Sequence, residues 1–245
     1  MRARAQRDDA VLLRSVAYGE SDRVVTLLTR AHGKIAALAR GARRSKKRFA
    51  GALEPFALLR VDVALGGNGM GRLDAATVVR AYPALLRDLA RMNAAGAFLT
   101  LVRDLLPDGA ADEEIFEDVI SVLDALEGGE IPEQSLLLTA QAQLLARAGW
   151  SPGLDGCGRC GKVPEHTRSA DFDPVNGFLV CQSCGGASHR LSALARAALL
   201  EATQGNFIEA AAAPWTTEDL EATRRALRIF IDERLERRSD RPSLR

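Results

Sequence analysis

The sequence predicts an α+β chain: a small closed β-barrel first, then an α-helical bundle interrupted by a four-cysteine zinc ribbon. Three observations carry this reading. Five short apolar runs, separated by turn signals, fill residues 10–82. Past Pro83 the apolar spacing changes to every third or fourth residue. All four cysteines then fall between Cys157 and Cys184, in a stretch rich in glycine and proline that lacks helical period.

The strands come in order. AVLLRSVAY (10–18) is an apolar run with β-branched members, and RVVTLLT (23–29) and KIAALAR (34–40) flank a turn at Gly33. FALLRVDVAL (56–65) alternates, with Val61, Val63 and Leu65 on one side; GGNGMG (66–71) is a turn that admits positive φ, and RLDAATVVRAY (72–82) closes the set. Five such strands fit a small closed barrel. An open sandwich is the alternative, but it leaves long edges to protect.

The helices follow. Leu85, Leu89, Met92, Leu99, Val102 and Leu106 mark one helix, stopped at Pro107. DEEIFEDVISVLDALEGG (112–129) is a second, acidic at its start, and Pro132 opens a third that runs to Gly149. Each has one apolar face, and the three are expected to pack together. After the cysteine segment, Ser192 reads as the N-cap of a helix ending near Gly205, and Thr216 and Asp219 are spaced as a capping box for the last helix. The expected organisation is a barrel over 1–82, helices over 83–149, a cysteine insertion over 150–190, further helices over 191–238 and a frayed tail over 239–245.

Cys157, Cys160, Cys181 and Cys184 form the pattern C-x2-C-x20-C-x2-C. Two intervening residues turn both sulfurs of a pair to one side of a tight knuckle, and two knuckles complete a tetrahedron around Zn²⁺. Gly161 and Gly185 follow the second cysteine of each pair, and DPVNG reads as a turn between two short strands. Disulfides, a redox pair and an iron–sulfur cluster fit this context less well. A four-thiolate site is closed, which points to structural rather than catalytic zinc. His166 and His189 lie near the pairs and read as surface residues rather than spare ligands.

Composition excludes several classes. At 47% hydrophobic and 27% charged residues, the chain has an ordinary globular composition. No uncharged apolar run approaches the ~20 residues of a membrane helix. The N-terminal stretch lacks the apolar core of a signal peptide, so a cytoplasmic location is expected. No recognised catalytic motif stands out: GGNGMG lacks the Lys-Ser/Thr of a phosphate-binding loop, and GESD (19–22) has no histidine nearby. The chain is expected not to be an enzyme.

The net charge of +1 conceals an asymmetry, since residues 1–48 carry a net +9 and the remainder −8. In RGARRSKKRFAG (40–51), six of the first nine residues are Arg or Lys and none is acidic. A polyanion is the expected partner. Candidate phosphate contacts are Arg40, Arg43, Arg44, Lys46, Lys47 and Arg48, with Arg23 and Lys34 on neighbouring strands; Arg14 and Arg30 lie close in sequence. A small barrel with a basic loop suits single-stranded nucleic acid. Tyr18, Phe49, Phe56 and Tyr82 are the local candidates for base stacking, although Phe56 reads as core. So few aromatics suggest binding dominated by the backbone phosphates. A solvated surface loop is the plainer alternative.

The stretch YGESDRVVTLLTRAHGKIAALARGARRSKKRFAGALEPF (18–56), with NAAGAFLTLVRDLLP (93–107) and LLARAGWSPGLDGCGRCG (144–161), resembles the bacterial RecO family of DNA repair and recombination mediators. The likeness runs from about residue 10 to 235 and weakens after 190. It implies an N-terminal OB-fold and a helical domain carrying the zinc ribbon, in the zinc-bearing type of the family. It also implies binding to single- and double-stranded DNA and annealing of complementary strands. The implied partners are RecR, RecF and single-strand-binding protein, with RecA loaded indirectly, on nucleoid DNA. The residues alone leave open an RNA-binding or ribosome-associated barrel protein, a zinc-dependent hydrolase and a structural adaptor.

Overall fold

The computed structural model describes residues 4–45, 47–66, 69–165 and 167–239. Lys46, part of the GGNGMG turn, His166 and the tail from residue 240 lie outside the described residues. The chain divides into two compact units, one ending at Gly128 and the other beginning at Gly129.

The first unit is built on five strands: β1 (Gln6–Tyr18), β2 (Asp22–Thr29), β3 (Gly33–Ala39), β4 (Ala57–Ala64) and β5 (Met70–Ala81). They close in the order β1-β2-β3-β5-β4, with β3 and β5 parallel and the other pairs antiparallel. This is the five-stranded OB-fold barrel. One strand must pair with both β2 and β4, and β1 is long enough to do so. A register shift between Leu12 and Arg14 bends it from one partner to the other. Alternation does the rest. In β3, Gly33, Ile35, Ala37 and Ala39 are buried in turn, and in β4 Leu59, Val61 and Val63 point into the same core.

The β2–β3 hairpin turns at Gly33, where φ is +66° and a Cβ would lie 2.1 Å from the Ala110 carbonyl oxygen. Only glycine fits a turn pressed this closely against another backbone. The contact is reinforced by the Gly109 N–H, which donates to the Lys34 carbonyl at 2.8 Å.

The helix expected from Leu85 is divided. Leu85–Arg87 form a 3-10 turn, and α1 (Leu89–Leu105) starts afresh. Asp88 is extended, and its carboxylate accepts from the Ala90 and Arg91 N–H groups. It therefore caps a new helix rather than continuing an old one. α2 (Glu113–Gly128) opens with Glu113 and Glu114 in its first turn. Both helices belong to the barrel's unit, whereas α3 (Glu133–Arg147) belongs to the second unit. The three helices thus fall in two units. The break falls at the Gly128–Gly129 pair, where Gly129 has φ +70°.

In the second unit α3 packs with α4 (Ala193–Thr203), α5 (Phe207–Ala211) and α6 (Thr217–Ser239). Ser192 caps α4, and Thr216 and Asp219 bond reciprocally at the start of α6. The cysteine segment folds as a four-stranded sheet in the order β6-β8-β7-β9, from Gly153–Cys157, Ala170–Asp173, Phe178–Leu179 and His189–Leu191 in chain order. Its tip is tied to α6. Arg234 donates to the Val175 and Asn176 carbonyls at 3.1 and 3.2 Å and lies over the Phe230 ring. Among the described residues no helix is long and apolar enough to cross a membrane.

Candidate nucleic-acid interface and metal centre

The basic loop joins β3 to β4 and has two unlike halves. The second half is a plug. Phe49 is 2% exposed and joins Ala52 and Leu53 in the barrel core. Ala50, Gly51 and Phe56 adopt positive φ to bring this segment in, which for Phe56 is a strained choice held by burial. The Arg48 carbonyl accepts from the Ala76 N–H at 2.9 Å, so the loop is stitched to β5 as well.

The first half is displayed outward from that anchor. Arg40, Arg43, Arg44, Lys47 and Arg48 are all exposed, and the fold brings them together. Asp22 organises their base: its carboxylate accepts from the Gly41 N–H at 2.7 Å and from the Ser21 hydroxyl. The Gly41 bond is the main cause that holds the Asp22 carboxyl below the usual range.

Not every cation in the loop faces solvent unpaired. Arg48 donates to the Arg40 carbonyl at 2.7 Å and lies over the Phe49 ring. Arg43 donates to the Glu20 carbonyl at 3.2 Å. Arg44 meets Glu20 at 3.8 Å with both side chains exposed, an ion pair of little worth in water. The side chains of Arg40 and Lys47 make no hydrogen bond or ion pair with the described residues. Arg40, Arg44 and Lys47 are therefore the loop's least engaged cations, while Arg43 and Arg48 brace the loop.

Two candidates from the strands have partners within the protein. Arg23 donates to Ser15 Oγ and to the Leu53 carbonyl, and meets Glu54 at 3.8 Å. It supports the loop from beneath. Lys34, with its side chain 12% exposed, donates to the Arg103 carbonyl at 2.7 Å and pairs with Asp108 at the opposite end of β3. Arg30 is engaged as well, with Glu113 and Glu117 and over the Phe116 ring. Of the four aromatic candidates, Phe49, Phe56 and Tyr82 are buried and Tyr18 is exposed. A partner 30 or 69 residues away leaves no mark on local sequence, which is why charge type alone did not separate these roles.

The four cysteines converge. Cys157 ends β6, Cys160 follows on the same knuckle, and Cys181 and Cys184 bracket a 3-10 turn. Their Sγ atoms all lie within 4.8 Å of one another, and Cys160 and Cys181 are 3.6 Å apart. A tetrahedral ion with bonds of ~2.3 Å needs sulfurs roughly 3.8 Å apart, so the set fits such an ion. The backbone prepares it: the Cys181 N–H donates to Cys157 Sγ at 3.4 Å, while Gly161 and Gly185 take positive φ after each knuckle. The Cys181 N–H is the main cause that lowers the Cys157 thiol to about 6. Bonding to the neighbouring thiols, Cys160 first, pushes Cys184 up to about 12. Four sulfurs this close could together hold a metal ion.

Residues 1–82 match the family described as Recombination protein O N terminal, and residues 86–243 match Recombination protein O C terminal. The chain is 42% identical over 232 residues to the DNA repair protein RecO of Anaeromyxobacter sp. (strain K), covering 93% of this chain and 91% of that one. It is 41% identical over 235 residues to the DNA repair protein RecO of Myxococcus xanthus (strain DK1622), covering 94% and 93%. A third relative, the DNA repair protein RecO of Geobacter sulfurreducens, is 40% identical over 188 residues, or 76% of each chain. The chain belongs to the RecO family.

Proposed function

We propose that this chain is a non-enzymatic mediator of DNA repair and recombination. It binds single- and double-stranded DNA through the basic loop of its barrel and anneals complementary strands. With RecR, and with RecF, it helps load RecA onto DNA coated with single-strand-binding protein, in the cytoplasm at the nucleoid. The observation that carries this is the stretch 40–51 of the loop: five exposed Lys/Arg side chains and no acid, on a segment anchored by the buried Phe49.

The chemistry is electrostatic. Two strands repel through their phosphates, and each phosphate neutralised by Lys or Arg releases condensed counterions. A fixed cluster of cations lowers the repulsion and raises the local strand concentration. Anchoring matters because a loop already ordered loses less entropy on binding. No bond is made or broken in DNA, so no general acid, base or nucleophile is required. The four thiolates would hold Zn²⁺, which on binding cross-links the two knuckles. Cys157, Cys160, Cys181 and Cys184 fix the ribbon strands, and Arg234 fixes the ribbon tip to α6.

The test is strand annealing, with complementary oligonucleotides coated with single-strand-binding protein, with and without RecR. Annealing well above the spontaneous rate is expected. No acceleration under either condition, from folded protein, counts against the reading.

A further inference from the structure

The four thiols are not placed alike. Cys157 is buried, Cys181 and Cys184 are half-buried, and Cys160 is exposed. Cys160 sits in the run 158–163, every residue of which is exposed. Its neighbours on the chain give it little cover. Gly158 and Gly161 have no side chain, and Arg159 is drawn across to the other knuckle, where it donates to the Cys184 carbonyl at 2.6 Å. The second knuckle is reached from outside as well. A groove of ≈ 370 Å³, lined by Lys162, Gln182, Ser183 and Arg190, opens onto Cys157 and Cys181.

The exposed thiol also has a partner. Cys160 Sγ lies 3.6 Å from Cys181 Sγ, on the opposite knuckle. A disulfide needs ~2.05 Å between its sulfurs, so the pair is a short closing movement from a covalent bond. A bond within one knuckle, Cys157 to Cys160 or Cys181 to Cys184, would leave the two knuckles unconnected. A bond from Cys160 to Cys181 joins the same two knuckles that a bound ion would join.

We propose that Cys160 is a site of oxidative modification, and that a Cys160–Cys181 disulfide replaces a metal ion as the link between the knuckles. The oxidant is a peroxide. The Cys160 thiolate attacks one oxygen of hydrogen peroxide, the O–O bond breaks, hydroxide leaves, and Cys160 becomes a sulfenic acid. The Cys181 thiolate then attacks the Cys160 sulfur, the S–O bond breaks, and a second hydroxide leaves. Two thiolates have given up two electrons, and the peroxide has become two hydroxides, which take up protons to form water. Cys157 and Cys184 remain as thiols, and the closed four-sulfur site is gone. The new bond closes the loop between the knuckles, which restricts the unfolded chain and keeps the ribbon folded without an ion.

The test uses the wild-type chain as purified, treated with hydrogen peroxide, alkylated and digested without reductant for mass spectrometry. Zinc in the filtrate and limited proteolysis are followed in parallel. The main product is expected to carry a Cys160–Cys181 link with Cys157 and Cys184 alkylated. Zinc should appear in the filtrate as the link forms, while residues 150–190 stay protected, unlike the same protein stripped by a chelator. Disulfides confined to the separate knuckles would overturn the proposal. So would four thiols surviving an excess of peroxide that oxidises the chelator-stripped protein. A Cys160–Cys181 link accompanied by cleavage throughout 150–190 would show that the bond does not replace the ion, and would overturn it too.

Discussion

The basic loop and the cysteine knuckles are both turn-built segments punctuated by glycine, yet they are held by different physics. The loop is fixed by burial: Phe49, Ala52 and Leu53 enter the barrel core and leave the cations outside. The knuckles bury little. Cys160 is exposed, Cys181 and Cys184 are half-buried, and only Cys157 is buried. A loop anchored by a hydrophobic plug can present charge without any cofactor. A ribbon this small has little core of its own, and its four clustered thiols could hold a central ion.

The comparison breaks most visibly on metal removal. In small zinc domains the ion contributes about 10–16 kcal/mol of apparent folding energy, so stripping it with a strong chelator is expected to unfold the ribbon outright. The paired change Cys160→Ser with Cys181→Ser should do the same. Limited proteolysis reports it as new cleavage between residues 150 and 190, with the barrel unit left protected. Cleavage spread evenly over both units would mean the two sites are not independently held.

The loop has its own breaking point. Phe49→Ala deletes the plug, and removing a buried phenylalanine costs about 3–5 kcal/mol. The barrel's melting temperature should drop clearly while metal content is unchanged. DNA affinity should fall although every positive charge remains. An unchanged melting temperature would show that the loop is not anchored through this side chain.

The two regions also differ in how legible they were in the sequence. The cysteine pattern is local, so its four ligands were readable from spacing alone, although β6 and β9 were not. Those two strands are short and are ordered by pairing with neighbours distant in sequence. The barrel strands were readable to within a few residues, because alternation in runs such as Lys34–Ala39 records which face is inside. The loop was readable as charge but not as architecture. Nothing near Phe49 says that it plugs a barrel, and nothing near Lys34 says that its ammonium serves the Arg103 carbonyl. α5 was missed because five residues are too few to establish a period. The single helix expected from Leu85 was divided by Asp88, a capping residue whose role depends on the extended backbone it adopts.

The central claim, that the loop's outward cations meet phosphates, is tested most directly by the salt dependence of oligo-dT binding. The wild type is compared with the triple variant Arg40→Ala, Arg44→Ala, Lys47→Ala, whose changes are exposed and should leave the melting temperature nearly unmoved. Each lost phosphate contact on a single strand removes roughly 0.7 from the slope of log K against log salt. Three lost contacts should therefore flatten the slope by roughly 2 and weaken binding at low salt. A folded triple variant with the wild-type slope and affinity would contradict the account.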